Sequence, residues 1–172
     1  MRKLYYVLAL VLVVLFCSAA GLMWKRVPLT QSGVISVPAT WRVLETDSAV
    51  TENAYGPGVS CRTLLTAESP VLSAVILMYW PYGGDMPGKF VMDMAESLKK
   101  RSGLSSTTRL SEIKIGSLLL SSVTYPVGGG NSQKVSAFIR DGKIYSFITN
   151  YKAQDEYNVL RDLRGIMSRW KF

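Results

Sequence analysis

Histidine is absent from all 172 residues, and cysteine occurs only twice, at Cys17 and Cys61. Without histidine the chain cannot assemble a Cys/His zinc set or a nucleophile activated by an imidazole base. Cys17 lies inside a long apolar stretch where it cannot meet Cys61, so no internal disulfide is expected. Cys61, in an apolar surrounding, is expected to be a small buried residue rather than a reactive thiol. Acids are also scarce, 12 against 20 Lys and Arg. They are spread over helices, turns and caps, so no carboxylate pair stands out for glycoside cleavage. No catalytic residue, metal ligand set or cofactor site is expected.

What is present points to one packed domain behind a membrane-directed leader. Hydrophobic residues make up 48% of the chain, with four Trp, nine Tyr and five Phe. That is ample for a core without disulfide support. Residues 1–26 read as a leader: Arg2 and Lys3 are followed by an uninterrupted apolar run from Leu4 to Met23. Two fates compete. In one, Ser18-Ala19-Ala20 is a small-residue cleavage site before Gly21, which releases the domain into the periplasm. In the other, about twenty residues span a ~30 Å hydrocarbon core as an uncleaved anchor, with Trp24 at the interface and Lys25-Arg26 as the stop. Lipidation at Cys17 is disfavoured by Phe16. Residues 27–32 read as a linker and 33–172 as the globular domain. Without Arg2 and Lys3 the exported part keeps an excess of basic over acidic residues, which favours anionic surfaces. The cations are scattered rather than clustered, so no nucleic-acid partner is expected.

Along the domain the patterning alternates between strand and helix. Val34, Ile35 and Val37 precede Pro38, and Trp41, Val43 and Leu44 continue, as in an edge where proline is tolerated. Residues 47–58 read as a loop, and 59–66 and 71–80 as strands. The run Ala74 to Trp80 is apolar at nearly every position, which predicts a strand covered on both faces. Asp85 then reads as an N-cap with Pro87 in the first helical turn. Phe90, Val91, Met94, Ala95 and Leu98 form the inner stripe of that helix, and Asp93, Glu96, Lys99 and Lys100 its outer face. Residues 113–126 hold two strands broken at Gly116, and Gly128 to Asn131 reads as a flexible loop. Arg140-Asp141-Gly142-Lys143 between apolar runs is a tight hairpin signal. A closing helix over 155–170 has Leu160, Leu163, Met167 and Trp170 inward, Val159 and Ile166 beside them, and Arg161, Arg164 and Arg169 outward.

This order resembles the PsbP-like superfamily over nearly the whole exported part. Three places carry the likeness. They are the opening strand Gly33 to Trp41 ending in Pro-x-x-Trp, the Arg140 to Lys143 hairpin with Tyr145 after it, and the Leu163 to Phe172 helix with its short aromatic tail. The resemblance implies an α+β fold, an antiparallel sheet flanked by helices in an α/β/α sandwich, serving binding and assembly rather than catalysis.

Gly83 to Lys89 matches the spacing of a phosphate-binding loop, but Phe90 stands where that loop needs Ser or Thr for the metal. It is read as a glycine-rich turn opening a helix. Ser-x-x-Lys occurs at Ser97/Lys100 and Ser111/Lys114, as chance recurrence predicts. The candidate ligand or partner surface is Tyr55 and Tyr82 with the C-terminal cations Arg164, Arg169 and Lys171. Tyr79, Trp80 and Tyr82 are read mainly as core. The expected function is a non-enzymatic accessory domain on the periplasmic side of a bacterial-type inner membrane, held through residues 4–23 and binding an envelope protein. The alternative is a soluble periplasmic module for an anionic ligand or polymer.

Overall fold

The computed structural model describes residues 23–30, 32–53, 57–83, 87–104 and 108–172. Residues 4–22 of the proposed membrane segment, the Asp85 cap and Tyr55 lie outside them.

Among the described residues, ten strands and two α-helices build three layers. A hairpin of β1 (Trp24–Leu29) and β2 (Gly33–Pro38) stands apart from the main sheet. The sheet holds β3 (Arg42–Thr46), β4 (Val50–Thr51), β5 (Ser60–Glu68), β6 (Leu72–Trp80), β7 (Arg109–Ile115), β8 (Leu118–Gly128), β9 (Asn131–Arg140) and β10 (Lys143–Lys152). Every pairing is antiparallel, in the order β3-β5-β6-β10-β9-β8-β7, with β4 alongside β5. Helix α1 (Pro87–Arg101) covers β8 and β9 on one face. The β1–β2 hairpin and α2 (Glu156–Arg169) cover the other. The fold is the expected antiparallel α+β sandwich.

Strand alternation explains how one sheet serves two cores. On β10, Tyr145, Phe147 and Tyr151 point toward α2 and the hairpin, while Ile144 points toward α1. On β6, Ile76 and Met78 join the first core and Tyr79 the second. A chain with apolar residues at nearly every position therefore makes an interior strand, as its composition predicts. A bulge in β5 between Thr63 and Leu65 changes the register, so Cys61 faces α1 while Leu65 and Ala67 face α2.

The Asp141-Gly142 turn is as expected. Both residues have positive φ (51° and 67°), the geometry of a two-residue hairpin whose twist matches the strands. Gly128 to Asn131 is not a loose loop but an equally short turn, with Gly129 and Gly130 at positive φ between β8 and β9.

The domain begins earlier than the sequence suggests. Trp24 to Arg26, read as the end of the leader, and Val27 to Leu29, from the stretch 27–32 read as a linker, form β1. Val27 and Leu29 are buried and β1 pairs with β2 along its whole length. The indole of Trp24 lies flush on Gly165 of α2, with the Arg169 guanidinium 4.4 Å from its ring centre. Tryptophan followed by two cations is an interfacial signature, but here Trp24 packs on α2 and Lys25 donates to the Trp41 carbonyl, while Arg26 stays exposed. In α2 the inward residues are Val159, Leu163, Ile166 and Met167, and Leu160 is only half-buried.

Candidate functional site

Because α1 sits over β8 and β9, the same face of β6 and β10 is left partly open beside it. A groove of about 370 Å³ runs along this edge. Leu77 and Ile148, both half-buried, form its floor, and Met94 and Leu98 of α1 its wall. Asp93 and Arg101, two turns apart on α1, mark its two ends. The groove thus pairs an apolar floor with charged residues at both ends.

Lys89, the lysine of the phosphate-loop lookalike, is exposed and donates to the Asp93 carboxylate at 2.5 Å. That hydrogen bond and charge raise its pKa above the ordinary lysine value. A carboxylate one turn along the helix occupies the ammonium. Pro87 opens α1 as expected, while residues 84–86 are outside the described part.

The aromatic candidates separate. Tyr79 and Tyr82 pack edge-on against Phe90, with ring centres 5.1 and 5.9 Å apart, on the α1 side. Trp80, by strand alternation, packs against the core on the opposite face. They form no common wall.

The C-terminal candidates Arg164, Arg169 and Lys171 are all exposed but differ in use. Arg164 lines a shallow hollow of about 500 Å³ with Ser168 and the Ile113–Ile115 end of β7. Arg169 caps Trp24. Lys171 pairs through its backbone with Val34, accepting from Val34 N at 2.7 Å and donating to Val34 O at 2.9 Å. The Ser-x-x-Lys pairs assemble nothing: Ser97 and Lys100 are exposed on α1, and the Ser111 hydroxyl donates to the Ser122 carbonyl.

Two buried polar clusters escaped the sequence reading. Lys134 on β9 is buried facing α2, donates to the Thr124 hydroxyl at 2.6 Å, and lies 3.3 Å from the Glu156 carboxylate at the start of α2. Tyr151 stands beside them, its phenol pushed up to about 12 by burial and by Glu156. The only local signal was the alternation Lys134, Ser136, Phe138 opposite Val135, Ala137, which puts lysine on a core face. On the other side Lys99, expected to face out, is buried and donates to Glu96 at 2.8 Å. That bond holds the Glu96 carboxyl below its ordinary value. Nearby, the Tyr125 hydroxyl donates to Gln133, which donates on to Asn150 at 2.7 Å. Burial, with Glu96 adding to it, pushes the Tyr125 phenol up to about 12. Cys61 is buried as expected, and burial raises its thiol pKa.

The Lys134 cluster ties the first turn of α2 to the sheet, and its two halves are unequal. The Lys134 side chain is 4% exposed and that of Glu156 48%. Glu156→Gln leaves a buried ammonium without its counter-charge and is expected to cost about 2 kcal/mol. Lys134→Met removes the charge and keeps the stem, while Glu156 resolvates, so its cost should stay within about 1 kcal/mol. Urea unfolding of both variants checks this; an equal loss in both would assign the effect to packing alone.

No protein-family model matches the sequence, and no curated protein matches it. Among solved structures, the solution structure of cyanobacterial PsbP (CyanoP) from Synechocystis sp. PCC 6803 superposes with a TM-score of 0.55. The match covers 84% of this chain and 89% of that one at 11% identity. The strand order, the two-sided helix cover and this superposition agree: the chain has a PsbP-like fold.

Proposed function

We propose that the chain is a non-enzymatic accessory domain of a bacterial-type cell envelope. Residues 4–23 hold it in the inner membrane, and it faces the periplasm and binds an envelope protein. The observation that carries the binding role is the groove beside α1. Its apolar floor belongs to interior strands, so it is rigid, and it is bounded by Arg101 at one end and by the Lys89–Asp93 ion pair at the other. Such an open apolar floor between charged rims fits the contact surface of a protein partner.

The test is in-cell photo-crosslinking from benzoylphenylalanine placed at Leu98. A discrete heteromeric adduct is expected, and Leu77→Arg, which puts a charge on the floor, should abolish it while circular dichroism stays unchanged. An adduct indifferent to Leu77→Arg, or none at all, rejects the groove as the partner site.

The soluble reading, with cleavage between Ala20 and Gly21, draws on the hollow lined by Lys114, Arg164 and Ser168, which could seat an anion. The mass of the N-terminal peptide from purified protein separates the two forms.

A further inference from the structure

Two segments of the chain are basic and hold no acid, although α2 also carries Glu156 and Asp162 in its first half. Residues 23–44 and 163–172 carry Lys25, Arg26, Arg42, Arg164, Arg169 and Lys171, and not one Asp or Glu. These two segments, far apart in sequence, fold together. The first supplies β1, β2 and the start of β3, the second supplies the last half of α2 and the tail, and they meet at Trp24 on Gly165 and at Val34 on Lys171. Val27 and Leu29 point inward and Arg26 outward from the same strand, so Arg26, Arg164, Arg169 and Lys171 are all exposed. Arg42 is engaged by Glu68 and Lys25 donates to the Trp41 carbonyl, so neither is counted with them; Arg169 is counted for its exposure, although its guanidinium also sits over the Trp24 ring.

In sequence, this face begins directly where the apolar run ends. The carbonyl of Met23, the last residue of the run, accepts a hydrogen bond from Ala39 N at 2.8 Å. The next residue, Trp24, is already in β1 and clamped between Gly165 and Arg169. A domain on a flexible linker samples every orientation; a domain whose first strand starts where the apolar run stops does not.

We propose that the outer surface of the β1–β2 hairpin and α2, with Arg26, Arg164, Arg169 and Lys171, lies against the anionic headgroups of the bilayer that holds residues 4–23. The inference rests on the anchored reading above and adds an orientation to it. Basic residues next to a membrane segment are attracted to acidic lipid over a distance of about a Debye length, ~10 Å. The α1 layer, with its groove, is on the opposite face of the sheet and so points away from the membrane toward a partner.

The experiment uses the full chain in vesicles of phosphatidylcholine with added phosphatidylglycerol and a nitroxide-headgroup lipid as quencher. In a Cys17→Ser, Cys61→Ala background, one fluorophore is placed at Ser168→Cys on α2 and another, separately, at Lys100→Cys on α1. Strong quenching at position 168 and little at 100 is expected. The quenching at 168 should be lost in Arg164→Glu/Arg169→Glu, and when phosphatidylglycerol is left out. Equal quenching at the two positions, in protein that resists alkaline carbonate extraction, overturns the orientation and leaves the anchor standing. Release of the protein by carbonate overturns the anchor and the orientation with it.

Discussion

Phe138→Ala is expected to lower stability by about 4 kcal/mol, at the upper end for aromatic truncation, because its site cannot collapse around the hole. Phe138 is fully buried on β9 at the centre of five rings. Tyr145 of the paired strand stacks on it at 5.1 Å, Phe147 is tilted at 6.1 Å, and Trp170 and Phe172 meet it edge-on at 5.9 and 6.1 Å. Each neighbour is held by something else. Tyr145 and Phe147 are fixed by the β9–β10 and β6–β10 ladders. Trp170 donates its indole N–H to the Ser32 carbonyl at 2.7 Å. Phe172 stacks on Trp170 at 4.8 Å, with the Arg140 guanidinium 4.1 Å from its ring centre on the exposed side. Rings tied in this way cannot move in to fill the space, so the cavity term remains in full. Phe138→Leu, which keeps most of the volume, should cost about half as much. Urea denaturation with a constant m-value is the measurement. A loss below about 1 kcal/mol for the alanine variant would show that the tail aromatics repack, and that this cluster is not the rigid centre of the domain.

That cluster also shows which parts of the fold are legible in the amino-acid order. The β9–β10 hairpin can be read because Asp141-Gly142 must take positive φ between two apolar runs, a local requirement that nothing distant alters. The α1 helix can be read because Phe90, Val91, Ala95 and Leu98 repeat at helical spacing over more than two turns. The interior position of β6 follows from its unbroken apolar run. By contrast, β1 has only Val27 and Leu29 to show alternation, and Trp24-Lys25-Arg26 directly after an apolar segment is also what a membrane boundary looks like. The deciding facts are Gly165 and Arg169, more than 130 residues away, which make a seat for the indole.

The same distance effect hides the sites. Lys99 and Lys134 have side chains long enough to bury a stem and still carry a charge to a partner, so composition assigns them to the surface. Their burial depends on Glu96 in one case and on Thr124 and Glu156 in the other. The groove is a consequence of strand order: β10 inserts between β6 and β9, and α1 lies over β8 and β9, so Leu77 and Ile148 become neighbours on an open floor. No spacing along the chain announces that. Of the surface expected from the sequence, Arg164, Arg169 and Lys171 do share a layer, whereas Tyr82 belongs to the opposite side of the sheet, against Phe90.

Gly33→Ala is the other substitution expected to act strongly, at about 3 kcal/mol, from two separable causes. Gly33 opens β2 at φ 76°, where an L-residue costs about 1 kcal/mol or more. A β-carbon there would also overlap the Lys171 carbonyl, the group that accepts from Val34 N. Relieving the overlap means moving the tail off β2, with loss of both backbone hydrogen bonds of the bridge, each worth about 1 kcal/mol net. Deleting Lys171 and Phe172 removes the bridge and the obstacle together. In that truncated chain Gly33→Ala should cost only its backbone part, about 1 kcal/mol. The two changes are therefore expected to be non-additive by about 2 kcal/mol, with the double variant more stable than the sum of the single losses predicts. Denaturant unfolding of the four chains in the cycle reads this directly. Strict additivity would mean that the tail does not sit on β2 in solution. The two ends of the domain would then not be locked together, and the N-terminal hairpin would be held by its apolar face alone.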